Sequence, residues 1–109
     1  IIRELYEANK PVAAVCHGPA ALVNATLSDG RYLVEGKRVA AFTDAEERAV
    51  KLAEVVPFLL ETTLKSRGAH HQAAGEWQPL TVVDGNLITG QNPQSATGVG
   101  EALRDKLNG

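Results

Sequence analysis

The sequence predicts an α/β fold, and three observations carry the prediction. A short apolar run, Val12-Ala13-Ala14-Val15, passes through Cys16-His17-Gly18-Pro19 into Ala20-Ala21-Leu22-Val23. Strand, tight turn and helix in that order form the repeating unit of such folds. A helix-start signature, Thr43-Asp44-Ala45-Glu46, follows a second apolar run at Arg38-Val39-Ala40-Ala41-Phe42. Two further strand-like runs then flank Asp84-Gly85 ahead of a last helical pattern.

Taken in order, Ile1, Ile2, Leu5 and Tyr6 recur at helical spacing, with no Ser, Thr, Asp or Asn ahead of them as a cap. The expectation is a helix cut in its first turns, opening the downstream part of a longer protein. Asn9 and Lys10 end it, and Pro11 marks the break. Val12-Ala13-Ala14-Val15 lacks polar alternation, which suits a strand buried on both faces of a parallel sheet. Leu27-Ser28-Asp29-Gly30-Arg31 reads as a turn. Tyr32-Leu33-Val34 and Arg38-Val39-Ala40-Ala41-Phe42 suggest a small hairpin about Glu35-Gly36-Lys37.

From Thr43 a helix is expected to run to about Val55. Pro57 suits the first position of the next, with Phe58, Leu59, Leu60 and Leu64 as its apolar face and Gly68 as its stop. Residues 80–83 and 86–89 read as a hairpin, because Asp84-Gly85 tolerates the positive φ of a tight turn. Residues 90–93 form a loop, and residues 94–107 a closing helix with Val99, Leu103 and Leu107 on one stripe. Three or four credible strands are fewer than the about five or six of a doubly wound sheet, which again points to part of a domain.

Composition narrows the function. The 109 residues suffice for a real core without covalent staples. With 11 basic and 13 acidic residues, a net charge of −2 and no run of like charge, the chain lacks the cationic surface of a nucleic-acid or anionic-membrane binder. No apolar stretch approaches the ~18 residues of a membrane-crossing helix. One cysteine excludes an internal disulfide framework and a multi-cysteine zinc site. In a reducing compartment, with the cytoplasm as the expectation, a lone cysteine is either inert packing or chemistry.

Its context marks Cys16 as chemistry. Ala14-Val15-Cys16-His17-Gly18 has the form small-x-nucleophile-x-small, the cysteine counterpart of a Gly-x-Ser-x-Gly elbow. A nucleophile on a sharp strand-to-helix turn is strained, so the residues two positions either side must be small. The turn also sets the sulfur at a helix N-terminus, which is expected to favour thiolate over thiol. His17 is expected to hold that thiolate and shuttle protons near neutral pH, provided the turn directs both side chains into one cleft; a helix-start histidine satisfied by backbone is the alternative.

Three segments resemble a known family. Ala14-Val15-Cys16-His17-Gly18-Pro19-Ala20, Gly36-Lys37 through Phe42-Thr43-Asp44, and Thr89-Gly90-Gln91-Asn92-Pro93-Gln94-Ser95-Ala96 are similar to the PfpI/ThiJ superfamily of class I glutamine amidotransferase-like proteins. Within it they most resemble the heat-shock branch with glutathione-independent glyoxalase (glyoxalase III) activity. The resemblance covers nearly all of this chain but only the C-terminal portion of the family's single domain, so residues 1–109 are expected to be that portion. It implies a flavodoxin-like three-layer sandwich whose N-terminal part lies outside this chain. It further implies a Cys-His-acid triad, with Cys16 and His17 matching directly and Glu47 matching the acid. Relatives that use an aspartate leave Asp44 as the alternative. The local reading agrees on Glu47, since Glu46 fills the capping-box position and Glu47 is left free to orient an imidazole. The family also places a glutamate and a Gly-Gly-His-Gly-like oxyanion segment upstream of the elbow; neither occurs in these residues.

The implied reaction converts methylglyoxal-type 2-oxoaldehydes to 2-hydroxy acids, with no cofactor and no metal. The implied partners are a small aldehyde, the upstream part of the same domain and, from the habit of relatives, a second copy. A holdase chaperone, a redox sensor and a cysteine hydrolase using the same triad are the alternatives. His70-His71 is a poor metal chelate, because neighbours on a strand face opposite ways. Glutaminase domains of related fold carry His-x-Glu there, whereas Gln72 and Ala73 stand two residues after His70 and His71. Trp77 with Pro79 is read as packing or as the lining of a substrate mouth, and Asn92 or Ser95 as a cap of the last helix.

Overall fold

In chain order the elements of the computed structural model, which describes residues 1–109, are α1 (Ile2–Glu7), β1 (Val12–Val15), β2 (Arg38–Val39), α2 (Asp44–Ala49), α3 (Leu60–Ser66), β3 (His70–His71), β4 (Thr81–Asp84), β5 (Leu87–Gly90) and α4 (Ala96–Asn108). Short 3₁₀ turns cover Gly18–Leu22 and Pro93–Ser95. The main sheet has the order β1-β5-β4, with β1 parallel and β4 antiparallel to β5. A second, two-stranded sheet pairs β2 parallel to β3.

Alternation along β5 explains the layering. Leu87 belongs to a core cluster with Leu22, Leu33, Val34, Val39, Leu60 and Leu64, and Thr89 Oγ1 accepts the Ala40 N–H at 2.8 Å, so these two face the β2 side. Gly90 faces the other way, where a Cβ would stand 2.6 Å from Val99 Cγ2 of α4. Every residue of β5 is buried. The chain is thus α/β, with a mixed sheet between α4 and the β2–α3 layer.

Several local expectations need correction. Within these residues β1 pairs only with β5 and is half-buried, with Ala13 exposed. Residues 32–42 form no hairpin: Tyr32 bridges back to Thr26, Leu33 N–H bonds Ala25, and β2 pairs with β3 instead. α2 stops at Ala49 rather than near Val55, because Lys51 takes a left-handed φ of +62° and closes the helix. Pro57 precedes α3 instead of opening it, and Phe58 is exposed. The 84–87 hairpin forms, but its two loop residues are Gly85 and Asn86, since Asp84 already pairs with Leu87. Gly85 supplies the positive φ of +60°. On α4 only Val99 is buried; Leu107 is 68% exposed. No helix is long and apolar enough to cross a membrane.

Candidate active site

The elbow forms where β1 ends. Cys16 has φ +62°, a left-handed conformation that a side chain disfavours, and two backbone bonds hold it there. Its N–H donates to Gly90 O at 2.9 Å, and its carbonyl accepts the Phe42 N–H at 3.0 Å. The steric demand for small residues is weaker than expected, because a Cβ at Gly18 would lie 3.5 Å from the Ala14 Cβ. That is ordinary contact, so the turn itself would admit alanine at 18.

His17 turns into the same space as the sulfur. Cys16 Sγ lies 3.5 Å from His17 Nδ1, and His17 Nε2 lies 2.8 Å from Glu47 Oε2. Glu47 is buried with its side chain 2% exposed, whereas His17 is 47% exposed, so the carboxylate is sheltered and the imidazole open. With Nε2–H donating to the carboxylate, Nδ1 is free to accept the thiol proton. The Glu47 Oε1 atom is buried without a hydrogen-bond partner. The first turn of α2 separates the two glutamates as well as Asp44. Asp44 accepts from the Thr62 hydroxyl and does not meet His17.

The capping box is complete: Thr43 Oγ1 accepts the Glu46 N–H at 3.0 Å, and Glu46 Oε1 accepts the Thr43 N–H at 3.1 Å. Sequence reading stopped there and missed what the other oxygen does. Glu46 Oε2 accepts the Trp77 N–H at 2.9 Å and Asn92 Nδ2 at 2.8 Å. Burial alone would raise the Glu46 pKa, but the Asn92, Trp77 and Thr43 donors outweigh it and hold the carboxyl below its ordinary 4.5. No local pattern could signal these partners, which are 31 and 46 residues away. Asn92 is therefore a ligand of Glu46 rather than a cap of α4, and Ser95 donates to Asn92 Oδ1 while accepting the Leu80 N–H.

The thiol departs from expectation. Burial pushes Cys16 above its ordinary 9.0, and the charges of Glu46 and Glu47 add to the shift; the His17 N–H opposes it. The helix after the elbow is a five-residue 3₁₀ turn, and Pro19 removes one of its N–H groups. A full α-helical dipole is therefore not aimed at the sulfur. Burial thus disfavours the thiolate, and the adjacent imidazole is the group placed to take the proton.

Phe42 packs on the His17 ring at 4.3 Å between centroids, and Trp77 meets Phe42 edge-on at 5.6 Å. Trp77 is half-buried and Pro79 exposed. His70 is exposed, whereas the His71 side chain is 1% exposed, with Nε2 3.3 Å from Ala41 O. The pair diverges across the strand. No group of three or more His, Cys, Asp or Glu residues is gathered to hold a metal ion.

The chain is similar to known proteins over most of its length. The chain is 38% identical over 102 residues to the glutathione-independent glyoxalase HSP31 of Saccharomyces cerevisiae, covering 88% of this chain and 43% of that protein. Among solved structures, the Rapid Encystment Protein 24 kDa of Francisella tularensis superposes with a TM-score of 0.95 at 40% identity, covering 97% of this chain and 47% of that one. Glyoxalase III of Candida albicans superposes with a TM-score of 0.89 at 31% identity, covering 96% and 46%. The chain thus spans about half the length of the relatives it matches. A family model, "DJ-1/PfpI family", matches residues 1–105, and the chain belongs to that family.

Proposed function

We propose that residues 1–109 are the C-terminal portion of a single DJ-1/PfpI domain that acts as a glutathione-independent glyoxalase on methylglyoxal-type 2-oxoaldehydes. Cys16, His17 and Glu47 carry the chemistry. The observation that supports this most is the imidazole bridging Cys16 Sγ at 3.5 Å and Glu47 Oε2 at 2.8 Å. Relatives named as glutathione-independent glyoxalases supply the substrate class.

In this reading His17 Nδ1 takes the Cys16 proton as sulfur adds to the aldehyde carbon and passes it to the resulting oxyanion, giving a hemithioacetal and a neutral imidazole. The same imidazole then moves the proton from C1 to C2 through an enediol, leaving a 2-hydroxy thioester. Water hydrolyses the thioester, which releases the 2-hydroxy acid and restores the thiol. C1 is oxidised as C2 is reduced, so the sum is aldehyde plus water to hydroxy acid, with no outside oxidant or reductant. Glu47 keeps Nε2 protonated and the ring oriented, and offsets the positive charge when the ring is doubly protonated. The remaining walls of the site are assigned to the part of the longer protein outside these residues.

The test incubates the full-length protein with methylglyoxal and no glutathione, and follows lactate. Wild type forms lactate, Cys16→Ala forms none, and Glu47→Gln is slowed on the order of 10²-fold. Absence of lactate from a wild-type protein whose Cys16 still reacts with iodoacetamide would overturn the glyoxalase reading in favour of a cysteine hydrolase or redox sensor.

A further inference from the structure

Glu46 does more than cap a helix. It is fully buried, and four donors converge on its carboxylate. Oε1 takes the Thr43 N–H and hydroxyl at 3.1 and 3.0 Å; Oε2 takes the Trp77 N–H and Asn92 Nδ2 at 2.9 and 2.8 Å. A carboxylate can accept all four, whereas an amide would satisfy one pair and turn its NH₂ against the other. The two pairs differ in kind. The Thr43 pair is local and belongs to the cap. The other pair ties α2 to the loop before β4 and the loop after β5.

That second pair touches the site by way of aromatic packing. Trp77 holds a φ of +62°, which a bulky residue seldom adopts without an external hold, and the bond from its N–H to Oε2 is such a hold. In that conformation the indole meets Phe42 edge-on, and Phe42 lies 4.3 Å from the His17 ring. Asn92 completes the clamp by donating also to Gln78 O at 2.8 Å and by accepting from Ser95. On its other side Glu46 is the chain neighbour of Glu47, whose carboxylate meets His17 Nε2.

We infer that Glu46 is a positioning residue for His17: it clamps Trp77 and Asn92 so that Phe42 is held on the imidazole face, while its helical turn holds Glu47 at the imidazole edge. The ring is thereby fixed from two directions by a residue that does not touch it. The inference rests on the proposed role of His17 in moving protons, and its test includes a readout that needs no turnover.

The full-length protein is compared as wild type, Glu46→Gln, Asn92→Ala and Thr43→Ala. Three quantities are followed: the ring ¹⁵N shifts of His17, the ¹⁹F resonance of 5-fluorotryptophan at 77 (assigned by its loss in Trp77→Phe), and kcat and KM for methylglyoxal. Glu46→Gln is expected to shift the ¹⁹F resonance and move the His17 ring away from a single Nε2–H tautomer. It is also expected to lower kcat at least tenfold with KM within about twofold. Asn92→Ala removes a donor without changing charge, and should move all three in the same direction by less. Thr43→Ala loses stability through the cap but leaves the Oε2 pair, so the ¹⁹F resonance and the tautomer should stay as in wild type.

A Glu46→Gln or Asn92→Ala protein with a shifted ¹⁹F resonance but a wild-type His17 tautomer would overturn the inference, leaving the clamp purely structural. The same tautomer change in Thr43→Ala would overturn it as well. If wild type makes no lactate while the tautomer responds as expected, the glyoxalase reading fails and the positioning role stands. Should Glu46→Gln fail to fold, Asn92→Ala decides the matter alone.

Discussion

Cys16 carries its side chain in a backbone conformation that glycine adopts without cost, and the two bonds that hold it there come from Gly90 and Phe42. The strain is local to the residue and can be measured. Cys16→Gly should be more stable than Cys16→Ala by about 1 kcal/mol in denaturant unfolding of the full-length protein, because only glycine removes the Cβ from a left-handed site. Both variants should be inactive. Equal stability would mean that Cys16 is not strained. At the same scale, the neighbouring glutamates show how one helical turn gives two like residues different surroundings. Glu46 is saturated with donors, whereas Glu47 offers one oxygen to His17 and keeps the other unpartnered.

Helix ends show what could be read locally and what could not. α1, α3 and α2 all close with the same pair of backbone bonds around a left-handed residue: Asn9, Gly68 and Lys51. Asn9 and Gly68 are residues that adopt this conformation readily, and both stops were legible. Lysine carries no such signal, so the local sequence lets α2 run on to about Val55. Strand pairing was less legible still. β2 has only two residues and its partner β3 lies 32 positions on, so the nearer run at residues 32–34 was the better local match. At this scale Gly90 is the joint between sheet, helix and elbow. A Cβ there would meet Val99 Cγ2 at 2.6 Å, Ser95 Cβ at 2.9 Å and Val15 Cγ2 at 3.0 Å. Gly90→Ala should therefore cost roughly 1–3 kcal/mol by thermal or denaturant unfolding. It should also slow Cys16 alkylation by iodoacetamide, since Gly90 O holds the Cys16 N–H. A stable variant with wild-type alkylation would refute that role.

For the whole molecule, the buried ionisable groups set the response to acid. Burial holds His71 below its ordinary 6.5, with the Glu61 charge and the Ala41 carbonyl opposing; Lys65 adds to the lowering and Asp44 opposes it. The unfolded chain therefore takes up a proton near 6.5, while the folded chain does so only at lower pH. Stability is complete above that value and is lost as pH falls through the folded pKa. His71→Gln should make thermal unfolding of the full-length protein less dependent on pH between 7 and 5. An unchanged pH dependence would refute the assignment. Glu46 and Glu61, both held below 4.5, contribute stability that is present above their unfolded values and is lost as pH falls through their own lowered values.

By itself, the sequence determined the α/β class, the elbow at Cys16, the capping box at Thr43 and the β4–β5 turn. Each depends on residues within a few positions of one another, where sterics and local hydrogen bonds leave a compositional trace. It also pointed to the DJ-1/PfpI family, through three motifs spread along the chain. Tertiary structure alone decided the pairing of β2 with β3, the raised thiol pKa and the Trp77 and Asn92 donors on Glu46. Those depend on which distant groups share a dry space with a charge or a backbone N–H, and contacts across 31 or 46 residues leave no local pattern to read.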